Sequence, residues 1–407
     1  MSNPMNVLRR GAIVAASALL LAGASHAQVF ESPADGVYKD RVDWGMTMDL
    51  SGPAAASQTV WYQGFQSYLK EANAKGGVHG RQINLLAEDN RFDATNDRIA
   101  YEKFLTQTPT IAMSGIGNSS SQVALFPLIR RSKLPIVGTY SSARALIDPP
   151  NPYFYGAFCG FKEMAQVGAG FFTDHLKLKN PKVAIVHLDV ASGKEFFGYA
   201  EAYLAKLGGT AKSIPIKVVA ADATPQVLEI VNMKPDFIAI HGVVPTAVLV
   251  MKALQQYGLD VPAFAITYLG TPGVYETIGK DAGKNYHFVS CYTPASSDLK
   301  ASADLVAAAK KYNQSQHTDD INYVSGWVTG QLVAEALQKV GPQPTREKLV
   351  DMLNAGFEID SKGLSSALKY TPQDHSGLSV LKVLSYDYAT KTFKSYGEYK
   401  DFAKYVQ

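Results

Sequence analysis

The chain has 407 residues, 46% of them hydrophobic and 18% charged, with a formal net charge of +3. That length holds roughly two to three domains, and that apolar share builds a sizeable core, which excludes a disordered chain. Thirty-nine basic residues nearly balance 36 acidic ones and no basic block stands out, so neither nucleic acid nor an anionic membrane is an expected partner.

Residues 1–27 read as a secretory signal peptide. Arg9 and Arg10 precede an apolar run over 11–22, and Ser25-His26-Ala27 supplies small residues for cleavage after Ala27. The run is about 12 residues long, short of the roughly 20 that span a membrane. No Cys follows it, so no lipid anchor is indicated. Removing 1–27 takes away two arginines and no acid, which lowers the formal charge from +3 to +1. Cys159 and Cys291 are the two cysteines. An oxidising compartment permits a disulfide, and two buried free thiols are the other reading, because their Cα separation is not written in the sequence.

In chain order, alternation over 42–48 predicts a strand, followed by the turn Leu50-Ser51-Gly52-Pro53 and a helix over 58–74. Trp61, Phe65, Tyr68, Leu69 and Ala72 recur at three- and four-residue steps, forming one apolar stripe. Gly76 and Gly77 end the helix, since glycine tolerates the left-handed cap conformation. This is the first unit of a doubly wound α/β lobe, where ligands sit at the carboxyl ends of the strands. Strands over 82–87, 110–113 and 135–138 and helices over 95–106 and 120–130 extend it.

A second set starts at a strand over 183–188. It leads to Asp189-Val190-Ala191-Ser192-Gly193, a helix over 196–207 and Gly208-Gly209. The plan of 49–77 is written twice, so two similar lobes are expected. A strand over 237–241, a helix over 246–257 and a strand over 263–267 follow. Helices are predicted over 301–313, 323–340 and 345–355, and antiparallel strands over 378–399. No Pro-Gly-Ser linker divides the chain, so several crossing strands are expected to join the lobes.

Little catalytic chemistry is legible. The eight histidines are scattered, without a His-Glu-x-x-His or Cys-x-x-Cys pattern. Asp374-His375 lacks a Gly-x-Ser-x-Gly nucleophile motif and reads as a polar turn. No enzyme activity, metal or cofactor is expected.

The stretch 114–122, Ser-Gly-Ile-Gly-Asn-Ser-Ser-Ser-Gln, follows a strand and opens a helix. Ser120 replaces the third glycine of a dinucleotide fingerprint. Glycines, hydroxyls and a helix N-terminus suit a small carboxylate better, with a plain capping turn as the structural alternative. A second turn, 138–143, follows the next strand. Ser141 and Ser142 are expected to converge with Asn118 and Ser119 on one carboxylate.

The wording of 49–80 resembles the periplasmic binding proteins for leucine, isoleucine and valine. Further similarity lies at 118–122, 189–193, 236–245, 326–341 and 375–377. The resemblance implies a type I periplasmic binding protein, with two doubly wound α/β lobes joined by a three-segment hinge. Residues 41–158 with 292–357 would form one lobe and 159–291 with 358–407 the other. It also implies the periplasmic component of an ABC importer, a monomer that closes on its ligand and docks on membrane permease subunits. A ligand-sensing receptor of the same fold is an alternative.

The resemblance maps the carboxylate clamp onto Asn118, Ser119, Ser141 and Ser142. The other half of the site departs. Acids that grip an ammonium should fall near Phe161 and Pro272, and neither is acidic. The tyrosine expected before Gly193 is Ser192, and the aromatic of the first loop is Ser57. An ammonium buried without a counter-charge costs several kcal/mol. The expected ligand is therefore an aromatic or apolar organic acid, with Tyr140, Phe161, Ser192 and Tyr268 completing the candidate site. Glu163 or Asp189 as a substitute acid keeps branched-chain or other amino acids open.

Overall fold

The computed structural model describes residues 30–141 and 144–406. The signal-peptide reading of 1–27 and the position of Ser142 lie outside the described residues.

The chain opens with β1 (Arg41–Met48), α1 (Ala55–Ala74), β2 (Gln82–Asp89), α2 (Ala94–Thr106), β3 (Met113–Gly115), α3 (Ser119–Ser132), β4 (Ile136–Thr139), α4 (Arg144–Ile147) and β5 (Phe154–Gly156). These strands form a parallel sheet in the order β2-β1-β3-β4-β5. Strand β1 is buried on both faces, with Val42, Trp44, Met46 and Met48 on one and Asp43, Gly45 and Thr47 on the other. The α1 stripe is buried too, through Trp61, Phe65 and Leu69.

The second lobe contains β6 (Phe158–Cys159), α5 (Phe161–His175), β7 (Lys182–Leu188), α6 (Ala191–Lys206), β8 (Thr210–Ile216), α7 (Thr224–Met233), β9 (Phe237–Ile240), α8 (Val244–Gln256), β10 (Ala263–Ala265), α9 (Pro272–Gly283) and β11 (Tyr286–Ser290). Strand β6 aside, its parallel strands run β8-β7-β9-β10-β11, the same order as the first sheet. Two similar α/β lobes, read from the repeated plan, are thus present. In each, the strand order reverses beside the first strand, the position where doubly wound folds open a crevice.

After β11 come α10 (Lys300–Lys311), α11 (Ile321–Val340), α12 (Arg346–Ala355), β12 (Phe357–Ile359), β13 (Leu368–Thr371), β14 (Asp374–Leu378), β15 (Lys382–Asp387) and β16 (Thr392–Ser395). Helices α10 and α11 pack on α1. The α1–α11 contact is close because a Cβ at Gly64 would overlap the Tyr323 carbonyl and one at Gly326 the Trp61 carbonyl. Strand β15 joins the second sheet antiparallel to β11, and β16 pairs antiparallel with β15 at the sheet edge. A third sheet has the order β12-β13-β14-β6.

Several elements differ from expectation. The strand expected over 110–113 is Met113–Gly115, and the helix expected from 196 begins at Ala191. Helix α5 was not expected, although Phe161, Met164, Ala165 and Phe172 recur at three- and four-residue steps and are buried. Cys159 and Cys291 form a disulfide with Cα atoms 5.9 Å apart, which settles the two readings of the cysteines.

Candidate functional site

The carboxyl ends of both sheets face one cavity. From the first lobe it is lined by Ser57, Gln58, Phe92, Gly117, Tyr140 and Ser141. From the second it is lined by Phe161, Leu188, Ser192, His241, Val243, Ile266 and Tyr268. Five of the candidate residues thus come together: Tyr140, Ser141, Phe161, Ser192 and Tyr268. Asn118 and Ser119 stand outside this lining. The Asn118 side chain is engaged in its own turn, accepting from Ser120 N at 3.0 Å and donating to the Phe92 carbonyl at 2.8 Å.

The cavity is about 40 Å³, far below the roughly 300–1,000 Å³ of small-molecule sites. Aromatic rings fill the rest. Tyr140 lies 4.8 Å from Tyr268 and 5.1 Å from Phe158, and Phe158 stacks on Tyr268 at 4.4 Å. The lobes are closed on each other, so a ligand enters only when they part or these rings move.

Four helices begin at this cavity. Ala54 caps α1, Gly160 precedes Phe161 of α5, Ser192 lies in the first turn of α6, and Val243 caps α8. Aligned peptide dipoles make a helix N-terminus a partial positive charge that suits an anion. The Asp49 carboxylate already occupies the α1 end, and Glu163 lies in the first turn of α5. Helices α6 and α8 therefore present the ends without an acid of their own. The first-lobe loop is held by Asp49, whose carboxylate accepts from Gly52 N and Ala54 N, while Gln58 Oε1 accepts from Asp49 N at 2.7 Å.

No lining side chain is a carboxylate, ammonium or guanidinium. Burial pushes the His241 imidazole down to about 3, so it is neutral at pH 7. Its Nδ1 is buried without a hydrogen-bond partner. Burial raises both the Tyr140 and the Tyr268 hydroxyls, which stay protonated.

The two acids considered as ammonium partners stand elsewhere. Asp189 is exposed and paired with Lys194 at 2.9 Å, which lowers it. Glu163 lies beyond the lining beside Gly160, and burial raises it. Glu195, pushed up to about 7 by burial, accepts from Arg144 N at 3.4 Å and is also outside the lining. Among the described residues no group of three or more His, Cys, Asp or Glu is placed to hold a metal ion.

Sequence reasoning missed His241 and Gln58. His241 follows β9 directly, so the rule that ligands meet strand ends points to it. Gln58 sits on the buried side of α1 and carried no separate signal.

Two lobes of like topology closed over one shared cavity, with helix ends aimed inward, define a binding protein of the two-lobed periplasmic class. A family model described as "Periplasmic binding protein" matches residues 42–391, and the chain belongs to that family. The resemblance to leucine/isoleucine/valine-binding proteins holds as well. The Leu/Ile/Val-binding protein BraC3 of Rhizobium johnstonii is 24% identical over 324 residues, 77% of this chain and 84% of that protein. A fatty acid ABC transporter substrate-binding protein from Thermomonospora curvata shares the fold with a TM-score of 0.83 and 22% identity, over 93% of this chain and 97% of that one. A branched chain amino acid ABC transporter protein from Thermus thermophilus, solved with bound valine, gives 0.80 at 18% identity, over 90% and 99%. No helix among the described residues is long and apolar enough to cross a membrane.

Proposed function

We propose that this chain is the periplasmic ligand-binding component of an ABC importer, and that it takes an aromatic or apolar organic acid lacking an amine. The observation that carries this reading is an aromatic cavity without a charged side chain, onto which α6 and α8 open N-termini that hold no acid of their own. That combination favours a carboxylate and leaves an ammonium no counter-charge.

In this reading the hydroxyls of Ser141, Ser142 and Ser119 bind the carboxylate, and Asn118 shapes the turn. Tyr140, Phe161 and Tyr268 cover the apolar body, and Ser192 meets it from the second lobe. The lobes comprise 41–158 with 292–357 and 159–291 with 358–407. A monomer exported by way of residues 1–27 binds ligand, closes, and hands it to permease subunits without turnover. The name of the Thermomonospora relative, a fatty acid binder, fits an amine-free acid. The names of the Rhizobium and Thermus relatives favour branched-chain amino acids as the competing reading.

A calorimetric titration of refolded protein separates the two. Benzoate, 3-phenylpropionate and hexanoate are compared with leucine and valine. Binding of at least one amine-free acid, with leucine and valine silent, is the expected result. Leucine or valine binding while all three acids stay silent sinks the reading.

A further inference from the structure

His241 is a polar group in the cavity that the carboxylate reading does not use. It is buried, at 3% exposure, immediately after β9. Its ring is held between Phe161 at 5.3 Å and Phe196 at 5.7 Å, which fixes the imidazole plane. Its Nδ1 has no hydrogen-bond partner. The Tyr268 hydroxyl on the same wall also makes no hydrogen bond of normal geometry, with Ser141 as its polar neighbour. A buried donor or acceptor left unmatched costs about 1–3 kcal/mol, which a ligand group that bonds it recovers.

We propose that His241 is a specificity-determining residue that hydrogen-bonds an uncharged polar group, a hydroxyl, at the end of the ligand remote from its carboxylate. The proposal rests on the carboxylate reading above and narrows it to hydroxylated aromatic acids. A neutral imidazole makes one good hydrogen bond to a hydroxyl, either as donor or as acceptor. The other candidate groups fit worse. An ammonium would face the N-termini of α6 and α8 and has no carboxylate in the lining. A second carboxylate would place a second negative charge in a cavity with no basic side chain. Two dipole ends do not balance two buried charges, and that is more expensive than burying a hydroxyl. A methyl would leave Nδ1 unmatched. Ser192, on the same second-lobe wall, adds a hydroxyl that either donates or accepts.

The test uses two matched pairs, 4-hydroxybenzoate against benzoate and 3-(4-hydroxyphenyl)propionate against 3-phenylpropionate, with terephthalate as the dicarboxylate. Calorimetry on refolded protein should give at least a tenfold tighter Kd for the hydroxylated member of one pair. In His241→Leu that ratio should fall below threefold. In His241→Gln, which keeps a hydrogen-bonding side chain, part of the preference should return. Equal affinities within both pairs overturn the proposal. So does a tenfold preference that survives His241→Leu, or terephthalate binding tighter than 4-hydroxybenzoate. If hexanoate binds and no aromatic acid does, this inference falls while the carboxylate reading stands. If leucine or valine alone binds, the carboxylate reading falls with it.

Discussion

Asn322 donates its side-chain amide to the carbonyl oxygen of Tyr268 across 3.2 Å. The bond runs from the first turn of α11, which packs on α1, to the loop after β10 in the second sheet. Asn322 Oδ1 in turn accepts from the Tyr140 hydroxyl at 2.7 Å. Tyr140 is therefore held over the cleft by a residue that also ties the lobes together. Asn322→Ala removes both bonds and leaves a buried tyrosine hydroxyl without its acceptor, a loss of about 1–3 kcal/mol. The ligand-free variant should shift towards the open form. Small-angle scattering should show a larger radius of gyration than the wild type, and an unchanged profile would remove Asn322 from the closing contacts.

Asp320 sits beneath this network. It accepts from Asn322 N at 2.8 Å and from Asn322 Nδ2 at 2.9 Å, and burial raises its carboxyl to about 6. The unfolded value is near 4. The folded state therefore binds the proton more tightly, and Asp320 contributes stability below pH 4 that is lost as pH rises through 6. At pH 7.5 its ionised form is a burden on the order of 2–3 kcal/mol. Asn is an equally good helix cap, so Asp320→Asn should be more stable than the wild type at pH 7.5, and that gain should disappear at pH 4. Urea unfolding of both proteins at the two pH values measures it. A gain that is the same at both values would contradict the raised carboxyl.

Much of the fold was legible because its signals are local. The α1 stripe and the repeated strand-turn-helix-glycine plan both follow from residues adjacent in sequence, and both lobes show them. Helix α5 was missed although Phe161, Met164, Ala165 and Phe172 recur at helical spacing; Gly168 and Gly170, poor helix formers, lie in its middle. The third sheet was hidden for another reason: β6 has two residues and pairs with β14, more than 200 positions away. At the site, strand-end reasoning found Tyr140 and Tyr268. It did not find Asn322, whose part in the cleft depends on how α11 lies across α1. Asn118 was legible as a polar turn residue. That its amide is spent on Phe92 and Ser120 depends on the shape of the turn.

The α1–α11 crossing makes a demand on side-chain size. Trp61, Phe65 and Tyr323 are large, yet the backbones touch because Gly64 and Gly326 carry no Cβ. Gly326→Ala gains helix propensity of nearly 1 kcal/mol but drives a methyl into the Trp61 carbonyl. Overpacking of this kind costs about 1–3 kcal/mol. The variant should be less stable in urea. An alanine that stabilises the protein would mean the two helices slide apart freely.

The disulfide ties two of the segments that cross between lobes, Cys159 at the end of β6 and Cys291 just past β11. The cysteines are 132 positions apart, so the bond closes a long loop in the unfolded chain. Loop entropy for that length gives at most about 5 kcal/mol. Reduction should therefore lower the urea midpoint clearly, and Cys159→Ser with Cys291→Ser should behave like the reduced wild type. The buried Thr267 hydroxyl, 3.2 Å from the Cys159 sulfur, keeps its bond to the Val289 carbonyl in either state, so no polar group is stranded there. Ligand affinity gives a second readout on the same samples. If the crossing segments bend during closure, reduction changes affinity as well as stability. If the hinge lies elsewhere, affinity stays fixed while the midpoint falls.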